Sequence, residues 1–72
     1  MRLSTVQAVL FDANRHLISD ARRWLKRHKL KPMKEAHLTK KYIRYRIHSP
    51  DIFSRMRTIN IGNGIKLIIG FF

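Results

Sequence analysis

The four carboxylates are the residues best suited to acid–base or metal chemistry, and they stand far apart in the sequence. Asp12, Asp20, Glu35 and Asp51 fall in turns, near helix starts or in a connector. Capping and turn formation account for carboxylates at such positions. A metal-dependent nuclease needs clustered carboxylates to hold its ions, and this spacing provides none.

Histidine, the next candidate for this chemistry, is also dispersed, at positions 16, 28, 37 and 48. We expect His28 to be a packing residue on the apolar side of a helix, and His48 to lie in a turn. There is no cysteine, so thiolate metal sites and disulfides are excluded. "GNGIK" at 62–66 is too short and wrongly placed for a phosphate-binding loop. The sequence therefore predicts no enzyme, no metal site and no cofactor.

Positive charge is the strongest chemical signal in the chain. Its 72 residues include 16 Lys and Arg against 4 Asp and Glu, a formal net charge of +12. Solubility of a small domain needs a net charge of only about 2–8, and a larger excess opposes the compact state by self-repulsion. The excess indicates a polyanionic partner, with nucleic acid favoured over an acidic protein surface and a membrane third.

One group of cations lies on a predicted helix over residues 18–30, which Pro32 follows. Ala21, Trp24, Leu25 and His28 share one apolar stripe at helical spacing. The basic residues on the remaining surface are Arg22, Arg23, Lys26, Arg27 and Lys29. Like charges four residues apart destabilise a helix slightly, a cost that a bound anion would relieve.

A second group lies on a predicted strand, "KYIRYRI" at 41–47. Alternation places Ile43, Tyr45 and Ile47 on one side. Tyr42, Arg44 and Arg46 fall on the other side, and Lys66 of the last strand is expected beside them. A basic sheet face with an aromatic residue suits a nucleic-acid contact, but a solvated outer face has the same composition.

The remaining pattern predicts an α+β fold in which one amphipathic helix packs on an antiparallel sheet of three to four strands, in the order β-α-β-β-β. The further strands are 5–11, 57–61 and 65–71, and Ser49 and Pro50 begin a helical turn between the second and third. "GNG" at 62–64 predicts a tight hairpin. The expected core is Ala21, Trp24, Leu25, Ile43, Tyr45, Ile47, Ile59, Ile61, Ile65, Leu67 and Ile69.

The chain is expected to form a single domain over residues 1–72. A domain of this size buries only about 60% of its unfolded surface, so a partner, a ligand or a second copy of the chain would add stability. Phe71 and Phe72 are the candidate docking residues, either tucked under the helix or inserted into a neighbour.

No targeting or membrane segment is apparent. "IKLIIGFF" at 65–72 is much shorter than the roughly 20 residues that span a bilayer. The apolar run near the N-terminus is soon interrupted by Asp12 and does not form a convincing signal peptide. We therefore expect a location inside a cell, not secretion, and no membrane partner.

Three segments carry a resemblance: "ARRWLKRHKLKP" at 21–32, "YIRYRIHSPDIFSRMRT" at 42–58 and "IGNGIKLIIGF" at 61–71. Together they resemble a small uncharacterised basic module of large DNA viruses and tailed phages. The resemblance implies a viral origin and a place in the virion, and it assigns no catalytic residue. Relatives often have Thr or Ser before the helix, where this chain has Leu17 and Ile18. One helix on a sheet is also similar to the DNA-binding domain of plant ethylene-response factors, in fold alone.

Two functions follow as expectations. The first is a non-enzymatic viral protein that binds nucleic acid electrostatically, with double-stranded DNA the expected form, in genome packaging or condensation. The second is a small virion structural protein, a minor capsid or core component, that docks on an acidic protein surface. The sequence does not distinguish DNA from RNA as the ligand, and it does not show which of the two basic faces dominates binding.

Overall fold

The computed structural model describes residues 3–72 as an α+β domain with one helix on a five-stranded antiparallel sheet. The elements are β1 (Ser4–Asp12), α1 (Ile18–Arg27), β2 (His37–Leu38), β3 (Tyr42–Arg46), a 3-10 turn (Pro50–Ile52), β4 (Arg55–Gly62) and β5 (Ile65–Phe71). The predicted class is confirmed. The strand count is higher than predicted, because His37 and Leu38 pair with β3 inside the connector. Met1 and Arg2, which precede the apolar run considered as a signal peptide, lie outside the described residues.

The strand order is β2-β3-β1-β5-β4, so β1 lies in the centre. This position explains why both faces of β1 are apolar, since each is covered by neighbouring side chains. Phe11 is fully buried and makes edge-to-face contacts with Trp24 and Tyr45, with ring centroids 5.6 and 6.3 Å apart. Aromatic pairs of this kind contribute about 0.5–1.5 kcal/mol beyond area burial.

The helix covers β1, β3 and β5. Its buried residues are Ala21 and Leu25. Of the predicted core, Ala21, Leu25, Ile43, Tyr45, Ile47 and Ile65 are buried, and Trp24 and Leu67 pack against them while partly exposed. Val9 and Phe11 of β1 complete the cluster.

Strand β4 differs from the prediction, because all eight of its residues are exposed. Ile59 and Ile61, expected in the core, are 42% and 46% exposed. Ile59 lies on the helix side opposite Leu67, but on the outermost strand. Ile61 falls at a register shift between Asn60 and Gly62, where the ladder is irregular.

The hairpin between β4 and β5 is as predicted. Asn63 and Gly64 form its two-residue turn with φ of 54° and 73°. Positive φ at both central residues defines a type I′ turn, which matches the right-handed twist of the strands. Gly62 and Ile65 are paired directly before and after it.

The two ends of α1 are fixed by hydrogen bonds from the backbone N–H groups that flank the helix. The Leu17 N–H donates to the Asp20 carboxylate at 3.0 Å. At the other end, the N–H groups of Lys29 and Leu30 donate to the carbonyls of Lys26 and Leu25, at 3.1 and 2.9 Å. This pair of bonds is the Schellman motif, and it ends the helix at Arg27, earlier than the predicted residue 30.

The Schellman motif forces Lys29 into the left-handed region, with φ of 58°, where a residue with a Cβ atom is disfavoured by about 1–2 kcal/mol. We expect Lys29→Gly to raise the free energy of unfolding by about 1 kcal/mol over Lys29→Ala. Both variants lose the same charge, so Lys29→Ala controls for repulsion. Urea denaturation measures the difference, and equal stability of the two variants would contradict the assigned backbone conformation.

Candidate functional site

The helix surface exposes all five predicted cations: Arg22, Arg23, Lys26, Arg27 and Lys29. Arg23 and Arg27 follow the buried Ala21 and Leu25 by two residues, a rotation of about 200° on a helix. They therefore point away from the sheet. Arg22 and Lys26 lie on the flank of α1 that faces the connector, and Lys29 follows the helix on the same side. Arg23 also borders the groove formed there.

That flank forms one wall of a groove with a volume of about 670 Å³. Its lining combines apolar Leu25, Leu30 and Pro32 with the cations Arg22, Arg23, Lys26, Lys29 and Lys31. An apolar floor beneath a basic rim lets long side chains pack their stems while the charged ends stay in water.

The far face, meaning the sheet face opposite α1, collects the second predicted group. Arg44 of β3 and Lys66 of β5 are both paired with Leu10 of β1, one on each side. Arg46 and Ile68 are paired with Ala8 in the same way. Cross-strand partners share a face, and Tyr42, Thr58 and Asn60 belong to it through their own pairings or alternation. The structure therefore places all the predicted far-face residues together.

Lys66 and Tyr42 are in direct contact on the far face. The Lys66 ammonium donates to the Tyr42 hydroxyl at 2.9 Å and lies 5.3 Å from the ring centroid. Since β1 lies between their strands, the two side chains meet above β1. The ammonium lies at the hydroxyl end of the Tyr42 ring, where the hydrogen bond holds the two side chains together.

The connector joins the two basic surfaces around the β3 edge of the sheet. The groove on the helix flank shares Arg22 and Pro32 with a second groove, and the second shares Lys34, Glu35 and Ala36 with a third. The third groove is lined by Arg44 and Arg46. A hydrogen bond of 2.8 Å from the Met33 N–H to the Arg46 carbonyl holds the connector there.

We call this continuous surface the basic band. Its cations are Arg22, Arg23, Lys26, Lys29, Lys31, Lys34, Arg44 and Arg46. Lys31 and Lys34 lie in the connector, and neither was among the predicted binding residues. The only sequence signal for their role was that 11 of the 16 basic residues lie between Arg22 and Arg46.

The carboxylates do little to neutralise these cations. Asp12 accepts from the Asn14 N–H at 2.9 Å, Asp20 from the Leu17 N–H at 3.0 Å, and Asp51 from the Ser49 hydroxyl at 3.4 Å. These bonds stabilise turns and the helix start, as the sequence predicted. Glu35, in the second and third grooves, is the carboxylate that lies within the basic band.

Tyr45 lines the second groove with Arg22 and Glu35. Burial raises the pKa of the Tyr45 hydroxyl above its usual 10.0, while the charge of Arg22 lowers it and that of Glu35 raises it. The hydroxyl is therefore neutral at physiological pH and adds no negative charge to the groove.

Two features are absent from residues 3–72. No group of three or more His, Asp or Glu side chains is arranged to hold a metal ion. No helix in this part of the chain has the length and apolar character needed to cross a membrane.

The predicted docking residues lie at the end of the sheet and not under the helix. Phe71 ends β5, partly buried, with the Arg55 guanidinium 5.3 Å from its ring centroid. Phe72 is 58% exposed, and its ring centroid is 5.1 Å from that of Phe53. Phe53 itself packs over Gly70.

The exposed apolar side chains at this end form what we call the terminal patch: Leu3, Ile52, Met56 and Phe72. The Phe72 N–H donates to the Leu3 carbonyl at 3.1 Å, and Met56 is paired with Gly70. Ile52 and Met56 are 51% and 48% exposed and do not join the core. Phe53, between them in sequence, packs on the sheet instead.

Comparison of the chain with models of protein families, with curated proteins and with solved structures finds no match.

The fit of Phe53 over Gly70 yields a stability prediction. A Cβ atom at position 70 would overlap the Phe53 ring, so Gly70→Ala should lower the free energy of unfolding by about 1–3 kcal/mol. In a Phe53→Ala background the overlap is gone, and the same change should cost much less. Denaturant titration of the four proteins measures the coupling. An equal cost in both backgrounds would show that the ring does not rest on Gly70.

Proposed function

We propose that this chain is a non-enzymatic nucleic-acid-binding protein that holds phosphates, with double-stranded DNA as the expected ligand. The observation that carries the proposal is the grouping of Arg44, Arg46 and Lys66 on one sheet face of a chain with 16 basic and 4 acidic residues. The four exposed cations of α1 and Lys29, just beyond its end, supply further phosphate contacts. The resemblance to modules of DNA viruses and phages suggests genome packaging or condensation, in a virion or host cell.

The physical basis is counterion release. Each cation that contacts a phosphate frees condensed counterions from the duplex, which gives affinity without reading sequence. The planar arginines can donate two hydrogen bonds to one phosphate, whereas lysines act as point charges. Phosphates beside α1 would also offset the repulsion between Arg22 and Lys26 and between Arg23 and Arg27.

A merely solvated surface is the competing interpretation. It explains exposed Lys and Arg, but it does not explain why so few acids accompany them. Solvation needs charge of either sign and is served as well by Asp and Glu. A net charge of +12 on 72 residues therefore favours a polyanionic ligand.

Fluorescence polarisation with a labelled random-sequence duplex tests the proposal. We expect tight binding at low salt and a linear fall of log K with log salt concentration, with a slope of about −0.9 per phosphate contact. Replacing Arg23, Lys26 and Arg27 with Gln should weaken binding and make the slope shallower by up to about 2.7.

The matched control replaces Arg15, Arg55 and Arg57 with Gln, which lowers the net charge equally but lies outside both predicted cation groups. This control should change the slope less than the helix substitutions. Absence of binding at low salt, or an affinity indifferent to salt, would refute the proposal. Equal effects of the two triple variants would indicate that net charge alone, and not these positions, determines affinity.

The second candidate function is a minor capsid or core component that docks on an acidic virion protein. The terminal patch favours it, because exposed apolar clusters on small domains often mark protein contacts. Phe72 is its most suitable anchor, because it is exposed and lies outside β5. Phe71 is less suitable, since it is paired with Ser4 and Arg55 within the sheet.

Phe72→Ser tests this docking role. Burying a Phe side chain at an interface contributes roughly 1.5–3 kcal/mol, so the substitution should lower incorporation into virus or phage particles by about tenfold or more. Phe72→Leu, which keeps an apolar side chain, is the control and should retain most incorporation. Duplex binding should be the same in both. Unchanged incorporation of Phe72→Ser would exclude the patch as the docking site.

A further inference from the structure

We infer that the domain bridges two separate duplex segments, one held by the helix surface and one by the far face. The inference rests on the proposed nucleic-acid binding and adds its geometry. Its basis is that the two cation groups lie on opposite sides of one thin domain. Condensation of a nucleic acid requires contacts between segments, and a monomer with two opposed faces supplies them.

The opposition of the two faces follows from the fold. The helix packs on the sheet side of Val9 and Phe11, and Arg23 and Arg27 point away from that side. Arg44, Arg46 and Lys66 alternate with the core residues and lie on the other side. The domain measures 34 × 19 × 19 Å between Cα extremes, so the two groups are separated by the thickness of the helix and sheet layers.

A single duplex cannot reach both faces. The persistence length of DNA is about 150 bp, and a bend of 40–90° over 20–30 bp already costs about 1–6 kcal/mol. At about 3.4 Å per base pair, a path around this domain would bend the duplex through about 180° within about 20 bp, which is at least twice the angle that this cost covers. A duplex bound to the second face is therefore a second segment, separate from the one on the first face.

A flexible single strand could follow the basic band around the edge, but the aromatic residues do not favour it. Binding of single strands usually relies on bases stacking on exposed rings. The Tyr42 hydroxyl accepts a hydrogen bond of 2.9 Å from the Lys66 ammonium, which ties the ring to the basic side chains. Trp24 is stacked on His28, with centroids 3.9 Å apart, and packs edge-on against Phe11. The rings beside the basic residues already have partners, so duplex phosphates are the better ligand.

A capture assay tests bridging. A biotinylated duplex is fixed on beads, the protein is added at low salt, and capture of a second, fluorescent duplex is measured. The helix variant is Arg23, Lys26 and Arg27 to Gln, and the far-face variant is Arg44, Arg46 and Lys66 to Gln. We expect each variant to bind one duplex, with affinity lowered about tenfold or more, and to lose capture of the second.

The variant with Arg15, Arg55 and Arg57 changed to Gln has the same net charge and should capture the second duplex nearly as well as the native protein. The Nε atom of Arg44 is buried without a hydrogen-bond partner, so its substitution can disturb folding. If the far-face variant with all three substitutions does not unfold cooperatively on heating, a variant with only Arg46 and Lys66 changed to Gln is used in its place.

The outcomes separate the inference from the proposed function. If the native protein binds duplex but captures no second one, the inference is wrong and the proposed function stands. If either face variant captures the second duplex as well as the native protein, one face suffices and bridging arises by another route, such as self-association. If the native protein binds no duplex, the proposed function fails and the inference with it.

Discussion

The structure depends on how much of a five-stranded sheet one helix can cover. A helix with its side chains is about 10–12 Å wide, and strands lie about 4.8 Å apart, so one helix covers two or three strands. Here α1 covers β1 and parts of β3 and β5, and Phe11 and Leu25 are buried between the helix and the sheet. Strand β4 lies beyond its reach, and the far face has no second layer. The exposed β4 and the open basic face are consequences of this one limit.

The limit also explains which parts of the core could be predicted from the sequence. Alternation correctly assigned Ile43, Tyr45 and Ile47 to the helix side, because the side-chain period of a strand is a local property. It failed for Ile59, which lies on the correct side but too far from the helix. Distance from the helix depends on strand order, which local periodicity does not encode. A two-residue strand such as β2 is too short to have a readable period.

The candidate site divides in the same way. Alternation was sufficient to group Tyr42, Arg44 and Arg46, and helical spacing was sufficient to identify the cations of α1. The contact between Lys66 and Tyr42 depends on β1 lying between their strands, which is a long-range fact. The positions of Lys31 and Lys34 depend on the path of an aperiodic connector. That path is fixed by hydrogen bonds such as the one from the Met33 N–H to the Arg46 carbonyl. Residues in regular elements, Lys66 included, were therefore predicted, and Lys31 and Lys34 of the connector were missed.

Repulsion among the cations and binding of a polyanion have opposite salt dependences. This difference distinguishes a binding surface from a solvated one. Repulsion among unneutralised cations opposes the compact state, so added salt should stabilise the free domain by screening. A bound polyanion stabilises the native state by mass action, but salt weakens that complex because counterion release is less favourable. A merely solvated surface has the first dependence alone. A phosphate-binding surface has both, so the stabilisation conferred by a duplex must shrink over the same range of salt in which the free domain gains stability.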